Sequence, residues 1–472
     1  MFFLHLCASE KNEMTLIKSI SGIRGTIGGK PGESLNPVDI VKFSAAFGTW
    51  LKKRDEENSK IIIGRDARKS GQMVSDLVIM TLRSQGFNVT DLGLAATPTV
   101  ELAVAGTGAG GGIIVTASHN TAEWNALKLL NEKGEFLSAV DGEEVLALAS
   151  SEKFDFVDSK SEGSLLPDNS WNRKHIDKIL NLDLVDVKAI KKARLTIAVD
   201  YINSVGGIII PQLLTLLGVK KLIGINTDPD GNFAHNPEPV PENLREISGF
   251  VVSAKADLGF VVDPDVDRLA VICEDGTMFG EEYTLVAVSD YILSRTPGST
   301  VSNLSSTRAL KDVTEKYGCR YFSSAVGEVN VVEEMKKRNA VIGGEGNGGV
   351  IYPSLHYGRD ALAGIALFLT HLAKSKMKCS ELRRRYPDYI ITKKKLALQQ
   401  GTDFKIILDA VKKEFSDFEI DERDGIRINY RGGWVQIRKS NTEPIMRIYA
   451  EGKTLKDSEN LAEKVMSIVK KR

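Results

Sequence analysis

Along most of this chain, short apolar runs alternate with stretches in which apolar residues recur every three or four positions. The first kind reads as buried strand and the second as helix packed by one face. In the N-terminal third the pattern predicts strands over 15–20, 60–66, 88–94 and 111–118, and helices over 37–53, 72–84 and 99–105. Val74, Leu77, Val78 and Leu82 carry the helical spacing of the 72–84 segment. The alternation returns twice with different residues. Strands over 195–200, 221–226 and 258–263 surround a helix after Ser204. Strands over 300–304, 320–324 and 340–344 interleave with helices over 308–317 and 329–337, and a long apolar helix over 360–373 follows. Strands and helices joined by short loops imply crossover connections and a largely parallel sheet. The chain therefore reads as three related α/β units, each sending one long loop from the end of a late strand.

The last segment breaks this rhythm. Short strands over 425–430, 434–438 and 445–450 look antiparallel, and 456–470 is an amphipathic helix. A smaller α+β domain is expected there. The division read from these patterns is a disordered extension over 1–13 and α/β domains over 14–165, 166–280 and 281–390. An α+β domain over 391–472 completes it. Linkers are placed near 162–169, 276–281 and 389–395. Met14 directly precedes the first structured segment, so the start of the chain is read as an extension or a mis-assigned start rather than a leader.

Composition narrows the function. Lys and Arg total 62, as do Asp and Glu, so the net charge is zero across 472 residues. That balance argues against nucleic-acid or polybasic membrane binding. No apolar run is long enough to span a bilayer. Cys7, Cys273, Cys319 and Cys379 are scattered without knuckle or redox spacing, which suits reduced thiols and a cytoplasmic setting.

Four loops carry candidate chemistry. The 111–118 strand ends on Ser118 with His119 behind it. A serine hydrolase would need glycines two residues on either side, where Thr116 and Asn120 stand instead. Ser118 then reads as a structural strand end or as a phosphoryl carrier. Lys128, ten residues on, can return as an acid, base or charge partner. Asp263, Asp265 and Asp267 alternate after an apolar run, and Arg268 follows. Three carboxylates so spaced repel one another without a cation, and hard oxygens suit magnesium. Glu345 and Asn347 alternate with glycines in a loop whose backbone can approach a sugar diol. Arg438, Ser440, Asn441, Thr442 and Arg447 read as an anion cradle. Near the start, Arg24 sits between Gly22 and Gly25.

These loops, in this order, resemble the α-D-phosphohexomutase superfamily of phosphoglucomutase, phosphomannomutase and phosphoglucosamine mutase. The resemblance covers essentially the whole chain after Met14. It implies four domains around a central cleft, the first three α/β with mixed, mainly parallel sheets. It also implies hexose 1-phosphate and 6-phosphate interconversion by an intramolecular phosphotransferase, with Mg2+ as cofactor and a hexose 1,6-bisphosphate as activator. Ser118 would be the phosphoserine and a magnesium ligand beside Asp263, Asp265 and Asp267. His119, Lys128, Arg268 and Arg24 would surround it. Glu345 and Asn347 would read sugar hydroxyls, and Arg438, Ser440, Asn441, Thr442 and Arg447 would grip the substrate phosphate. The segment Val326-Gly327-Glu328 resembles one that orients the sugar. Partners are small sugar phosphates of glucosamine, glucose or mannose, with no nucleic acid and no membrane, and a monomer or homodimer. Two alternatives use the same scaffold: a magnesium-dependent sugar-phosphate phosphatase and a non-catalytic sugar-phosphate sensor. Three positions depart from the usual pattern. Thr121 replaces a proline and is expected to loosen the serine loop. Pro264 replaces a glycine. Asn347 replaces a serine and bears on sugar selectivity.

Overall fold

In the computed structural model, residues 14–19, 22–397, 403–430, 432–439 and 445–470 are described. The expected 1–13 extension lies outside them, as do Ser440, Asn441 and Thr442.

The first sheet holds β1 (Ile17–Ser19), β2 (Gly22–Thr26), β3 (Lys60–Arg65), β4 (Asn88–Leu94), β5 (Gly111–Val115), β6 (Trp124–Leu130) and β7 (Leu165–Pro167). Its order is β1-β2-β6-β5-β3-β4-β7. The second is built of β8 (Thr196–Asp200), β9 (Lys221–Ile225), β10 (Leu258–Val262) and β11 (Leu269–Cys273), in the order β11-β10-β8-β9. The third contains β12 (Thr300–Asn303), β13 (Tyr321–Ser324), β14 (Ile342–Glu345) and β15 (Gly349–Ile351), in the order β13-β12-β14-β15.

The threefold repeat is thus visible in the topology. Sheet segments β6-β5-β3-β4, β11-β10-β8-β9 and β15-β14-β12-β13 have one order, with the central pairs parallel. The largely parallel reading is incomplete in one consistent respect. β6, β11 and β15 each run antiparallel to the strand before them. Each long loop is therefore a hairpin-like connection rather than a lead into a helix. Length alone does not hide them from the sequence pattern, since β6 has seven residues and β11 five, against five each for β5 and β10.

Two expected linkers are also strands. The 162–169 stretch contains β7, which pairs with β4 in parallel. The 389–395 stretch belongs to β16 (Ile390–Ala397), which opens the last sheet. That sheet also holds β17 (Glu419–Asp421), β18 (Ile426–Tyr430), β19 (Gly433–Lys439) and β20 (Ile445–Gly452), and its order is β16-β20-β19-β18-β17. Its pairs are all antiparallel.

Burial explains the layering. In β5, Ile113 and Val115 join the cluster under the Pro37–Arg54 helix, while Ile114 faces the Thr97–Thr107 helix through Val100 and Val104. A strand covered on both faces reads as a continuous apolar run. The second and third units share one core, in which the Glu281–Leu293 and Ala361–Ser375 helices pack together. The latter helix is buried nearly all round through Leu372. Asp360 caps it by accepting from the backbone N–H groups of Leu362 and Ala363 at 2.8 and 3.0 Å. In the last domain, Met446, Ile448 and Ala450 of β20 face the core, so Arg447, Tyr449 and Glu451 point the other way.

Candidate active site

Ser118 occupies the connection between β5 and β6. Its φ is +50°, in the left-handed region that a non-glycine residue adopts at some cost. The turn is held from outside. Arg68, whose side chain is wholly buried, donates from Nη2 to the carbonyls of Ser118 and Asn120 at 2.6 Å each. Its Nη1 donates to the carbonyl of Trp124 at 3.0 Å and also to that of Thr121. Asp66 accepts from Arg68 Nε at 3.0 Å and from the Thr116 hydroxyl at 2.6 Å. The Thr116 hydroxyl oxygen in turn accepts from the Ser118 N–H at 2.9 Å. The carbonyl of Thr121, where a proline was expected, is among those Arg68 binds. One guanidinium thus contacts four carbonyls of the loop.

The Ser118 hydroxyl points into the second unit and donates to Asp263 Oδ2 at 2.8 Å. Asp263 Oδ1 accepts from the N–H groups of Asp267 and Arg268, both at 3.1 Å. Val266 has φ +59° and is buried in the core, which turns the flanking aspartates outward into one cage. One oxygen from each of Asp263, Asp265 and Asp267 lies within 4.8 Å of the others. Asp265 Oδ2 is taken by Lys128 Nζ at 2.7 Å and by the Thr97 hydroxyl at 2.6 Å. The Oδ1 atoms of Asp265 and Asp267 are buried with no hydrogen-bond partner among the described residues. Orphaned carboxylate oxygens in a compact cage fit a hard divalent cation.

The electrostatics agree. Burial, and then the charges of Asp267 and Asp265, push the Asp263 carboxyl well above its usual range. Burial would raise Asp265 too, but Lys128 and Thr97 hold it well below. Burial works against the Lys128 charge, and Asp265 and Asp267 outweigh it, so its pKa is raised. Lys128 sits on β6, the return strand the sequence pattern did not show. His119 lies among cations: burial, Arg268, Arg24 and Arg359 drive its pKa well down, so the ring is neutral. Arg268 Nε lies 3.9 Å from both Asp263 Oδ2 and Asp267 Oδ1. Arg24, on β2, donates to Asn120 Oδ1 at 3.3 Å.

The third unit closes the same space. Glu345 Oε1 accepts from Asn303 Nδ2 at 2.7 Å and from the Gly327 N–H at 3.2 Å. Asn347 Nδ2 lies 3.4 Å from Glu345 Oε2, and its Oδ1 accepts from the Gly349 N–H at 3.2 Å. Glu328, the last residue of the Val326-Gly327-Glu328 segment, accepts from the Arg359 N–H at 2.8 Å. Arg359 also reaches Asp267 and Glu345.

The cradle is only partly described. Arg438 on β19 and Arg447 on β20 are direct cross-strand partners, and Lys395 on β16 is the next partner of Arg447. Like charges placed opposite one another destabilise a sheet, so this row is suited to a bound anion. Burial and then Arg447 lower the Arg438 pKa, against Asp424, Tyr449 and Glu345. The cradle's sheet rests on the third unit through Ser305, which donates to Gln436 Oε1 at 2.6 Å, and through Val326 N–H to Asp424 Oδ2 at 3.1 Å.

Ser118, His119, Lys128, Arg24, the three aspartates, Arg268, Glu345 and Asn347 thus meet at one junction of three units. Arg68, Asp66, Thr97 and Arg359 belong to it and were not singled out from the sequence. The one available signal was charge directly beyond a buried strand or before a buried helix, as in Asp66-Ala67-Arg68 and Arg359-Asp360.

Comparison with known proteins gives the same picture across the chain. Residues 16–156, 173–276 and 280–389 match phosphoglucomutase/phosphomannomutase alpha/beta/alpha domains I, II and III, and residues 392–468 match the C-terminal domain. A phosphoglucomutase/phosphomannomutase of Thermococcus kodakarensis is 36% identical over 434 residues, covering 91% of this chain and 94% of the relative. A phosphoglucosamine/phosphogalactosamine mutase of Sulfurisphaera tokodaii is 32% identical over 456 residues, covering 95% and 98%. The crystal structure of a phosphoglucomutase/phosphomannomutase family protein from Burkholderia thailandensis superposes with a TM-score of 0.82 at 25% identity, covering 98% of this chain and 97% of that one. With all four domains matched in order and the serine, aspartate and glutamate loops converging on one junction, this chain belongs to the phosphoglucomutase/phosphomannomutase family and is an intramolecular phosphotransferase.

Proposed function

We propose that the chain interconverts hexose 1-phosphates and hexose 6-phosphates through a phosphorylated Ser118 and a bisphosphorylated sugar. The observation that carries this reading is the 2.8 Å contact of the Ser118 hydroxyl with Asp263, in a cage with two unpartnered carboxylate oxygens. Asp263, Asp265 and Asp267 would hold Mg2+, which offsets the charge of the transferring phosphoryl group when bound.

The chain's own groups account for the rest. A phosphoserine brings about −1.5 to −2 charge, and Arg268, Arg24 and Lys128 face it. His119, directly beside Ser118, would meet the phosphoryl oxygens as a hydrogen-bond partner. The substrate's phosphate docks on Arg438 and Arg447, and on Ser440, Asn441 and Thr442 by family pattern. Glu345 and Asn347 read the hydroxyls between. The free sugar hydroxyl then attacks phosphorus in line. The bond from phosphorus to Ser118 Oγ breaks, a bond to the sugar oxygen forms, and the hydroxyl proton ends on Ser118 Oγ. The bisphosphate reverses in the cleft and returns its other phosphoryl group by the same path. Positioning and charge supply the catalysis.

The relatives' names cover glucose, mannose, glucosamine and galactosamine phosphates. We take the substrates to be among these, with a hexose 1,6-bisphosphate as the priming activator. A coupled isomerisation assay over these sugars, primed with bisphosphate and run beside phosphate detection, tests the reading. Isomerisation without net phosphate release is expected. Steady phosphate release with no isomerisation would overturn it in favour of a phosphatase. Intact-mass measurement is expected to show a fraction heavier by about 80 Da, lost in Ser118→Ala.

A further inference from the structure

Gly349 and Arg359 face each other where the sugar loop turns back. Ile351 and Arg359 form an isolated antiparallel bridge, which carries the Arg359 stem over β15. A Cβ on Gly349 would lie 2.3 Å from Arg359 Cδ and 3.0 Å from Arg359 Cγ. Gly349 has no positive φ, so the backbone does not demand glycine there. What the site demands is clearance.

Through that clearance the guanidinium reaches three carboxylates from three segments. Nη2 donates to Asp267 Oδ2 at 2.6 Å and Nη1 to Glu345 Oε2 at 2.7 Å, while Nε lies 3.0 Å from Glu328 Oε2 as an ion pair without hydrogen-bond geometry. All four residues are buried. The contacts are directional. On Asp267 the guanidinium takes Oδ2, and Oδ1 is the oxygen with no hydrogen-bond partner among the described residues. On Glu345 it takes Oε2, while Asn303 and Gly327 take Oε1. One planar fork therefore sets the rotation of a cage carboxylate from the second unit and of the sugar-loop carboxylate from the third. An ammonium, a point donor on a flexible stem, cannot reproduce two such directed hydrogen bonds to separate carboxylates together with the ion pair to Glu328.

We infer that Arg359 is the positioning residue that locks the metal loop to the sugar loop, and that Gly349 is the gap that admits it. This rests on the functional reading above for the roles of the two loops. The side-chain partners of Arg359 among the described residues are Asp267, Glu345 and Glu328, and Ser118 is not one of them. It acts through Asp267 and Glu345. Residues that orient a metal ligand from behind typically change metal affinity by about 10–100-fold when lost.

The test is a set of variants read by magnesium binding as well as by rate. Titration calorimetry with MgCl2 is run in the Ser118→Ala background, which removes phosphoserine and turnover. Gly349→Ala and Arg359→Gln are each expected to weaken Mg2+ binding by about tenfold or more. With Ser118 intact, both should lower kcat more than they raise KM for the hexose 1-phosphate. The double variant should be no worse than Arg359→Gln alone, because both changes remove the same lock. Arg359→Lys should fail to restore either quantity. Unchanged Mg2+ affinity and kcat in Gly349→Ala would overturn the inference, as would strictly additive losses in the double variant. Should Arg359→Gln not fold, Gly349→Ala keeps every charge and carries the test alone. Expected Mg2+ effects in a chain without isomerase activity would instead refute the functional reading and leave the lock standing.

Discussion

On the function proposed above, the Ser118 junction and the Arg438–Arg447 row both handle phosphate, yet they are built in different ways. At the junction nearly every charge has an internal partner. Lys128 lies against Asp265, Arg68 against Asp66, and Arg359 against three carboxylates. The cradle instead lines up Lys395, Arg447 and Arg438 on adjacent strands as like-charged neighbours. The first arrangement is preorganised and costs little to reorganise during phosphoryl transfer. The second gathers positive charge on one face of a sheet, where an arriving phosphate would meet it. A mutase must keep one phosphoryl group fixed in place while accepting either end of a sugar, and the two constructions divide that work.

The largest effect that would break the comparison lies at the junction. Ser118→Ala is expected to reduce turnover by about 10⁴-fold or more, with hexose-phosphate binding kept because the cradle is untouched. Calorimetry with the hexose 6-phosphate beside the coupled assay checks both halves. Residual activity near wild type would mean that phosphate is held somewhere else.

Next in size, Arg68→Met removes the guanidinium that binds the carbonyls of Ser118, Asn120, Thr121 and Trp124. It leaves Asp66 buried without its ion-pair partner. Breaking a buried pair from one side costs about 3–5 kcal/mol, and both thermal stability and kcat should fall. A cradle variant should behave differently. Arg447→Met is expected to raise KM for the 1-phosphate and the 6-phosphate alike by about 10–100-fold, the worth of a charged hydrogen bond. Its kcat and melting temperature should change little. If Arg447→Met lowers kcat as steeply as Arg68→Met does, the division between a fixed junction and an adaptable grip is wrong.

The same contrast explains what could be read from the sequence. Helices such as Ala139–Ser151 and Glu281–Leu293 were not legible, but many strands and helices were, because burial on one or two faces writes a spacing into the chain, as at Ile113, Ile114 and Val115. The threefold repeat was legible for that reason, and the loops at Ser118, Asp263 and Glu345 because each follows such a strand. The return strands β6, β11 and β15 were not, and for β6 and β11 the reason is not length, since they are at least as long as β5 and β10. The junction's inner counter-ions were hidden for a different reason. Arg68 lies fifty residues before Ser118, and Arg359 lies ninety-two after Asp267. A buried arginine and a surface arginine look alike until the fold brings a carboxylate to one of them. Antiparallel register likewise had to be seen before Lys395 could be placed beside Arg447.

The smallest expected effect concerns how the cradle's domain is attached. Glu451, on the cradle face of β20, is buried, and its carboxylate accepts from the Arg308 N–H at 3.2 Å. Burial raises its carboxyl from 4.5 to about 7, against hydrogen bonds from Thr307 and Arg308. The folded form then holds a proton that the unfolded chain has already released between pH 4.5 and about 7. The stability this proton contributes is complete below pH 4.5 and is lost as pH rises toward about 7. Glu451→Gln keeps a neutral, hydrogen-bonding group at every pH, so it should remove this dependence. Melting curves from pH 5 to 8 are expected to show wild type losing about 1–2 kcal/mol relative to Glu451→Gln across the window, with KM for hexose phosphate following the same trend if the domain loosens. Parallel curves for the two proteins would place the attachment elsewhere, on Arg427, which donates to the Leu304 carbonyl, and on the Ser305–Gln436 contact.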